Sequence, residues 1–194
     1  MQAETPVITT ARLRLRLAHP ADIPAILAFF AENASFFKPF HPRWPDEYLT
    51  AAYWQQQLAH NLRDFHQDRS LKLFIFPQAD PTTIIGNVNF SNFVRGAAHF
   101  CYLGYSLAQS AQGQGYMSEA VQAACGYVFA ELRMHRIMAN YMPHNRPSGQ
   151  LLRRAGFVVE GYARDYLRLD GRWEDHILTS LINPDWHPRE ALAR

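Results

Sequence analysis

Leu13, Leu15 and Leu17 alternate with Arg14 and Arg16, the period-two pattern of a strand with one buried face. After a break at His19 to Asp22, Ile23, Ile26, Leu27 and Phe30 recur at helical spacing. Residues 36–45 are aromatic but carry Pro39, Pro42 and Pro45, so an irregular loop is expected there. Asp46 is placed to cap a helix over about 47–67, and 71–76 reads as a strand stopped by Pro77. Beyond the Asp80-Pro81 turn, 84–93 and 99–107 are rich in β-branched and aromatic residues on either side of Arg95-Gly96, which predicts a hairpin. A helix over 117–131, a strand over 136–141, a helix over 147–155 and two strands flanking Asp170-Gly171 complete the pattern. The prediction is a single α/β domain over 1–194, without linker or repeat, with about seven strands in all.

Composition narrows the function. With 194 residues, 48% of them hydrophobic, the chain can bury one sizeable core. A formal charge of +2 is too balanced to imply a surface for nucleic acid. The first segment mixes Glu4, Arg12, Arg14 and Arg16 among apolar residues, unlike a secretory signal, and no stretch approaches the roughly 18 apolar residues of a membrane span. Cys101 and Cys125 lie singly in apolar runs, as buried thiols do, so a reducing cytoplasm is expected. His135, His144 and His176 lack the spacing of metal ligands, and no metal is expected.

The most informative stretch runs from Leu107 to Glu119, where a strand passes through Gln112-Gly113-Gln114-Gly115 into a helix. Free amides and a positive dipole at a helix N-terminus, approached through glycines, form an anion site. The same glycines also suit a plain strand-to-helix turn. No Gly-Lys-Ser/Thr follows, which excludes a Walker loop, and Ser118 replaces the third glycine of a dinucleotide fingerprint.

Gln112-x-x-Gly115 resembles the coenzyme A loop of the GNAT N-acetyltransferase superfamily, although Met117 stands where Gly or Ala is usual. A second superfamily signature is matched by Asn145-x-x-Ser148-x-x-Leu151-Leu152 followed by Gly156-Phe157. Asn89 to Asn92, Cys101 to Ser106, Glu160-Gly161-Tyr162 and above all His135 to Asn145 resemble the RimJ/RimL branch, the RimJ type in particular. The likeness covers nearly the whole chain. It implies a GNAT fold with a central mixed, mostly antiparallel sheet, and acetyl-CoA as co-substrate. The acceptor it implies is the N-terminal α-amine of a protein, a ribosomal one beginning with alanine.

Residue by residue, the resemblance places the pyrophosphate on the amides of Gln112, Gly113, Gln114, Gly115, Tyr116, Met117 and Ser118. It places pantetheine along the main chain of Tyr105, Ser106 and Leu107, with Gly104 as a bulge that parts the strands. Asn145 is implied as a coenzyme ligand or a turn residue. Glu160 is implied as the base, through water, or it is an ordinary solvated charge. The tyrosine acid of many members is replaced by Leu152, which leaves Ser148 as the polar group at the sulfur, or as a helix cap. Tyr105 and Tyr166 are candidates for the amine channel or simply packed strand aromatics. Phe37 either walls the acceptor site or is buried under a lid. Strand alternation sets Asp165 on the side of Ala163 and Leu167, where it needs the substrate amine or an arginine as partner. Two rival functions carry the same coenzyme site: an acetyltransferase for small-molecule amines, and a coenzyme-binding factor that contacts ribosome precursors.

Overall fold

The computed structural model describes residues 5–187. Its strands are β1 (Val7–Thr9), β2 (Leu13–Arg16), β3 (Leu71–Pro77), β4 (Gly86–Val94), β5 (Phe100–Leu107), β6 (Arg136–Tyr141), β7 (Val158–Leu169) and β8 (Arg172–Ile182). They form one sheet of eight strands in the order β1-β2-β3-β4-β5-β6-β8-β7. The strand beyond the expected seven is β1, only three residues long and too short to show a period in sequence. Among these pairings β5 with β6 is parallel and the others are antiparallel.

Among the described residues five α-helices flank the sheet: α1 (Ile23–Glu32), α2 (Ala34–Phe37), α3 (Ala51–His66), α4 (Tyr116–Ala130) and α5 (Arg146–Arg154). On one face, Ala120, Val121, Ala124 and Val128 of α4, all fully buried, pack on Leu13, Leu15, Leu73, Val88, Cys101 and Ile137. Small residues on that stripe let the helix lie close to the strands. On the other face, Ile26, Phe29 and Phe30 of α1 and Trp54 and Leu58 of α3 cover Phe74 and Phe76. Phe30 stacks on Trp54 with centroids 5.3 Å apart. Each such large apolar side chain contributes about 1.5–3 kcal/mol on burial.

Two local expectations are corrected. Helix α3 does not start after Asp46: a 3₁₀ turn, Asp46–Leu49, comes first, and Thr50, extended at φ −115° and ψ 148°, is the cap, its side chain accepting from the Tyr53 amide at 3.2 Å. The proline-rich loop also contains regular turns, α2 and the 3₁₀ segment Lys38–Phe40, because a proline in a first helical position loses no hydrogen bond.

Candidate active site

Strands β5 and β6 run together only from Phe100 with Arg136 to Leu103 with Ala139. From Gly104 to Leu107, β5 is paired with β4 alone, while Asn140 and Tyr141 of β6 pair with β8. The sheet therefore opens into a wedge one residue past Leu103, with an unshared edge of β5 on one wall. Gly104 stands at its apex without being a bulge, in register opposite Asn89; the irregularity in this hairpin lies between Ser91 and Val94 instead.

The mouth of the wedge leads to the glycine loop. Gly113 has φ +74° and Gly115 φ +80°, backbone conformations that a side chain would strain, and Gly115 is the N-cap of α4. Gln112 to Gly115 are exposed; the Gln112 amide donates to the Gln109 carbonyl at 3.3 Å, and the exposed glycine turn beyond it leads to the start of α4, where an anion can approach. Met117 points into the core, which explains why a large residue is tolerated there. The loop is pinned from the N-terminal strands: Arg12 Nη1 donates to the Gln114 carbonyl at 2.9 Å, its Nη2 lies 2.7 Å from Glu119, and its guanidinium rests 4.5 Å from the Tyr116 ring centroid. Thr10 Oγ1 donates to the same Glu119 at 2.6 Å. Burial alone would raise the Glu119 carboxyl; its bonds to Thr10 and Arg12 outweigh that and hold it below the usual range.

On the α4 and α5 side of the wedge, Tyr105 and Ser148 meet. Their hydroxyls are 2.7 Å apart. Burial pushes the Tyr105 phenol up to about 12, against the opposing pull of the Ser148 bond, so it stays protonated. Ser148 is not the cap of α5. Asn145 is, its Oδ1 accepting from the Ser148 amide at 3.3 Å, so the serine hydroxyl is left to Tyr105. Leu152 is buried at 1% exposure.

The opposite side of the wedge is built from segments far apart in sequence. Ser106 faces away from Tyr105 and meets His41 of the proline-rich loop, with Nε2 and Oγ 2.9 Å apart. The His41 ring stacks on Phe37 with centroids 5.2 Å apart, and its carbonyl accepts from the Asp170 amide at 2.9 Å. Burial lowers the His41 pKa. Across the wedge, Asn140 Nδ2 donates to the Tyr166 hydroxyl at 3.2 Å, and Asn140 Oδ1 is buried without a partner among the described residues.

Three predicted residues stand apart from these groups. Phe37 is 2% exposed, in the aromatic core with Phe29 and Phe30, so it backs His41 and forms no surface wall. Asp165 is not on the side assumed for it: the register shifts between Ala163 and Leu167, Asp165 adopts φ +47°, and its amide donates to Asp175 Oδ1 at 2.8 Å, leaving it exposed. The carboxylate of Glu160 is engaged by Arg136 and, at 2.7 Å, by the Ser180 hydroxyl. The Ser180 bond, and after it Arg136, hold its pKa below the usual carboxylate range.

The model of an acetyltransferase (GNAT) domain matches residues 12–158. The chain belongs to the GNAT acetyltransferase family. It is 48% identical over 181 residues to the [ribosomal protein uS5]-alanine N-acetyltransferase of Escherichia coli (strain K12), covering 93% of each chain. Against the probable N-acetyltransferase YjcK of Bacillus subtilis (strain 168), identity is 35% over 82% of this chain and 87% of the relative. The crystal structure of ribosomal-protein-S5-alanine acetyltransferase from Vibrio fischeri superposes with a TM-score of 0.89 at 34% identity, covering 94% of this chain and 100% of that one. In this GNAT chain the unshared end of β5 at Leu107 is followed within the same stretch of chain by the glycine turn that starts α4. Two features had no sequence signal beyond their residue types: the Arg12 strap on the loop, and His41 against Ser106, which are joined across 65 positions.

Among the described residues, no group of three or more His, Cys, Asp or Glu is arranged to hold a metal ion, and no helix is long and apolar enough to cross a membrane. Cys101 and Cys125 are free and buried, and burial raises both thiols, Cys101 to about 12.

Proposed function

We propose that the chain transfers the acetyl group of acetyl-CoA to the N-terminal α-amine of a protein, an alanine-starting ribosomal protein being the acceptor, in the cytoplasm. The observation that carries this reading is the near full-length likeness to the uS5-alanine acetyltransferase, together with the open edge of β5 beside the glycine loop. Pantetheine lies along Tyr105, Ser106 and Leu107 as an added strand, and pyrophosphate takes the amides from Gln112 to Ser118. Asn145 serves the site by shaping the start of α5.

The neutral amine attacks the thioester carbonyl carbon within a ternary complex, the C–S bond breaks, and the thiolate takes a proton from the Tyr105–Ser148 pair. The likeness assigns the base to Glu160 through water. A weak base suffices, since an α-amine with a pKa near 8 is partly neutral at pH 7. Tyr166 borders the amine channel; Asp165, exposed on the β7 bulge, stands where the later residues of a peptide pass.

A basic peptide beginning with alanine, incubated with acetyl-CoA and followed by mass spectrometry, is expected to gain one acetyl group on its α-amine. A peptide with a blocked α-amine and free lysines is expected to react little. Equal rates on both would overturn N-terminal specificity, preference for spermidine would point to small amines, and coenzyme binding without any transfer would point to an assembly factor.

A further inference from the structure

We infer that His41, acting through the Ser106 hydroxyl, is the group that takes the proton of the acceptor amine. The inference rests on the acetyl-transfer reading above and reassigns one role within it. Its starting point is the position of Ser106. Among Tyr105, Ser106 and Leu107, the stretch that forms the open edge of β5, Ser106 is the one whose side chain carries a hydroxyl on the side away from Ser148. A thioester lying on this edge is protonated at sulfur from the Tyr105–Ser148 side, so an amine attacking its carbonyl comes from the other side, where Ser106 and His41 are.

The surroundings suit a proton acceptor. A base has to be unprotonated near neutral pH, and the burial of His41 favours the neutral imidazole. With its ring proton on Nδ1, Nε2 accepts the Ser106 hydroxyl at 2.9 Å. The ring is held by stacking on buried Phe37 and by its own carbonyl, which accepts from Asp170 in the β7–β8 turn. The charged groups beside it are Lys38 and Arg43 of its own loop and Asp170, which line one cleft of about 420 Å³ with His41. Asp170 faces Arg43 at 3.9 Å, which offsets its charge, and among the described residues no other carboxylate lines this cleft. On the far wall of the wedge, the buried and unpaired Asn140 Oδ1 offers an acceptor for an amine N–H on the same face. Glu160, by contrast, has both oxygens committed to Arg136 and Ser180.

The step balances within this set. The amine nitrogen forms the C–N bond and the C–S bond breaks. The nitrogen's proton passes to Ser106 Oγ as the hydroxyl proton passes to His41 Nε2, and the imidazolium returns its proton to water after release. Ser106 is the relay, and His41 acts through it.

The test compares the full-length wild-type chain with His41→Gln and His41→Ala, using acetyl-CoA and the alanine-starting peptide. Calorimetric coenzyme affinity is expected to stay within about twofold, because His41 lies outside the loop, while kcat falls by at least about a hundredfold. The wild-type kcat is expected to fall on the acid side with a pKa below the ordinary imidazole value. His41→Gln is expected to lose that limb, and added imidazole to restore part of the His41→Ala rate. A variant that keeps kcat within about twofold overturns the assignment. So does a slowed variant that retains the acid limb and ignores imidazole, since that outcome marks a packing role only. If the wild-type chain binds acetyl-CoA but acetylates no amine, the acetyl-transfer reading itself fails and the assignment goes with it.

Discussion

The two walls of the wedge are made in different ways. The wall proposed for the coenzyme comes from contiguous stretches: a glycine loop leading straight into α4, and Asn145 and Ser148 three positions apart at the start of α5. The wall proposed for the acceptor is assembled across the sheet, from His41 in a proline-rich loop, Ser106 on β5, Asn140 on β6 and Tyr166 on β7. A site that recognises one invariant ligand can be written as a local motif, because helix starts and glycine turns supply the binding groups from the backbone. A site that receives variable acceptors uses side chains whose meeting depends on the whole fold.

The sharpest way to break this comparison is at the loop. Gly115→Glu puts a side chain on a φ of +80° and a negative charge at the positive end of α4, beside Arg12. Coenzyme affinity measured by calorimetry is expected to drop at least about a hundredfold, with the circular dichroism spectrum retained. Near wild-type affinity in a folded variant would detach the loop from the coenzyme.

A smaller effect is expected between the walls, at the acid pair. Tyr105→Phe and Ser148→Ala each remove one hydroxyl of the 2.7 Å contact and are expected to lower kcat by about ten- to a hundredfold, with little change in coenzyme affinity. Because the two hydroxyls act as one unit, the double variant is expected to lose little more than the worse single one. Additive losses in single-turnover measurements would show that they act separately.

The smallest effect is expected outside both walls, at Glu160. If His41 takes the proton, Glu160→Gln lowers kcat by less than about tenfold; a loss of a hundredfold or more at unchanged coenzyme affinity would return the base to the carboxylate. The same variant has a stability signature. Since Ser180 and Arg136 hold the folded pKa of Glu160 below its ordinary value of 4.5, its contribution to stability is present above that value and is lost as the pH falls through the folded pKa. Thermal melts of Glu160→Gln are therefore expected to lose part of the wild-type decline in acid. Glu160 is exposed, so the change is small.

How far the chain was legible follows the same division. The alternation of Leu13, Leu15 and Leu17 and the helical spacing of Ile23, Ile26 and Phe30 report burial directly, and strands and helices stand where those periods put them. The start of α3 was misplaced because Asp46 and Thr50 are both good capping residues, and only the extended backbone at Thr50 separates them. Asp165 was misjudged because a period of two presumes an unbroken ladder, and Asp165 falls inside the irregular stretch between Ala163 and Leu167, where it has no place in the alternation. Tyr105 and Ser148 were each singled out in the sequence, but not as a pair, since their contact joins positions 43 apart in the chain. His41 was hidden for a further reason: its own segment carries no period at all, only aromatics and prolines.

The parallel seam has a consequence for how the molecule comes apart. Four residue pairs, from Phe100 with Arg136 to Leu103 with Ala139, join an antiparallel meander of β1 to β5 to a second one of β6, β8 and β7. Parallel pairing is slightly weaker per residue than antiparallel pairing, and this ladder is short, so the two meanders are natural units of partial opening. A ligand strand laid into the wedge would bridge both units and lengthen this short parallel ladder. Bound substrate would then act as a splint, raising the free energy of opening by about 2.7 kcal/mol at a hundred times its dissociation constant and making the two halves melt as one.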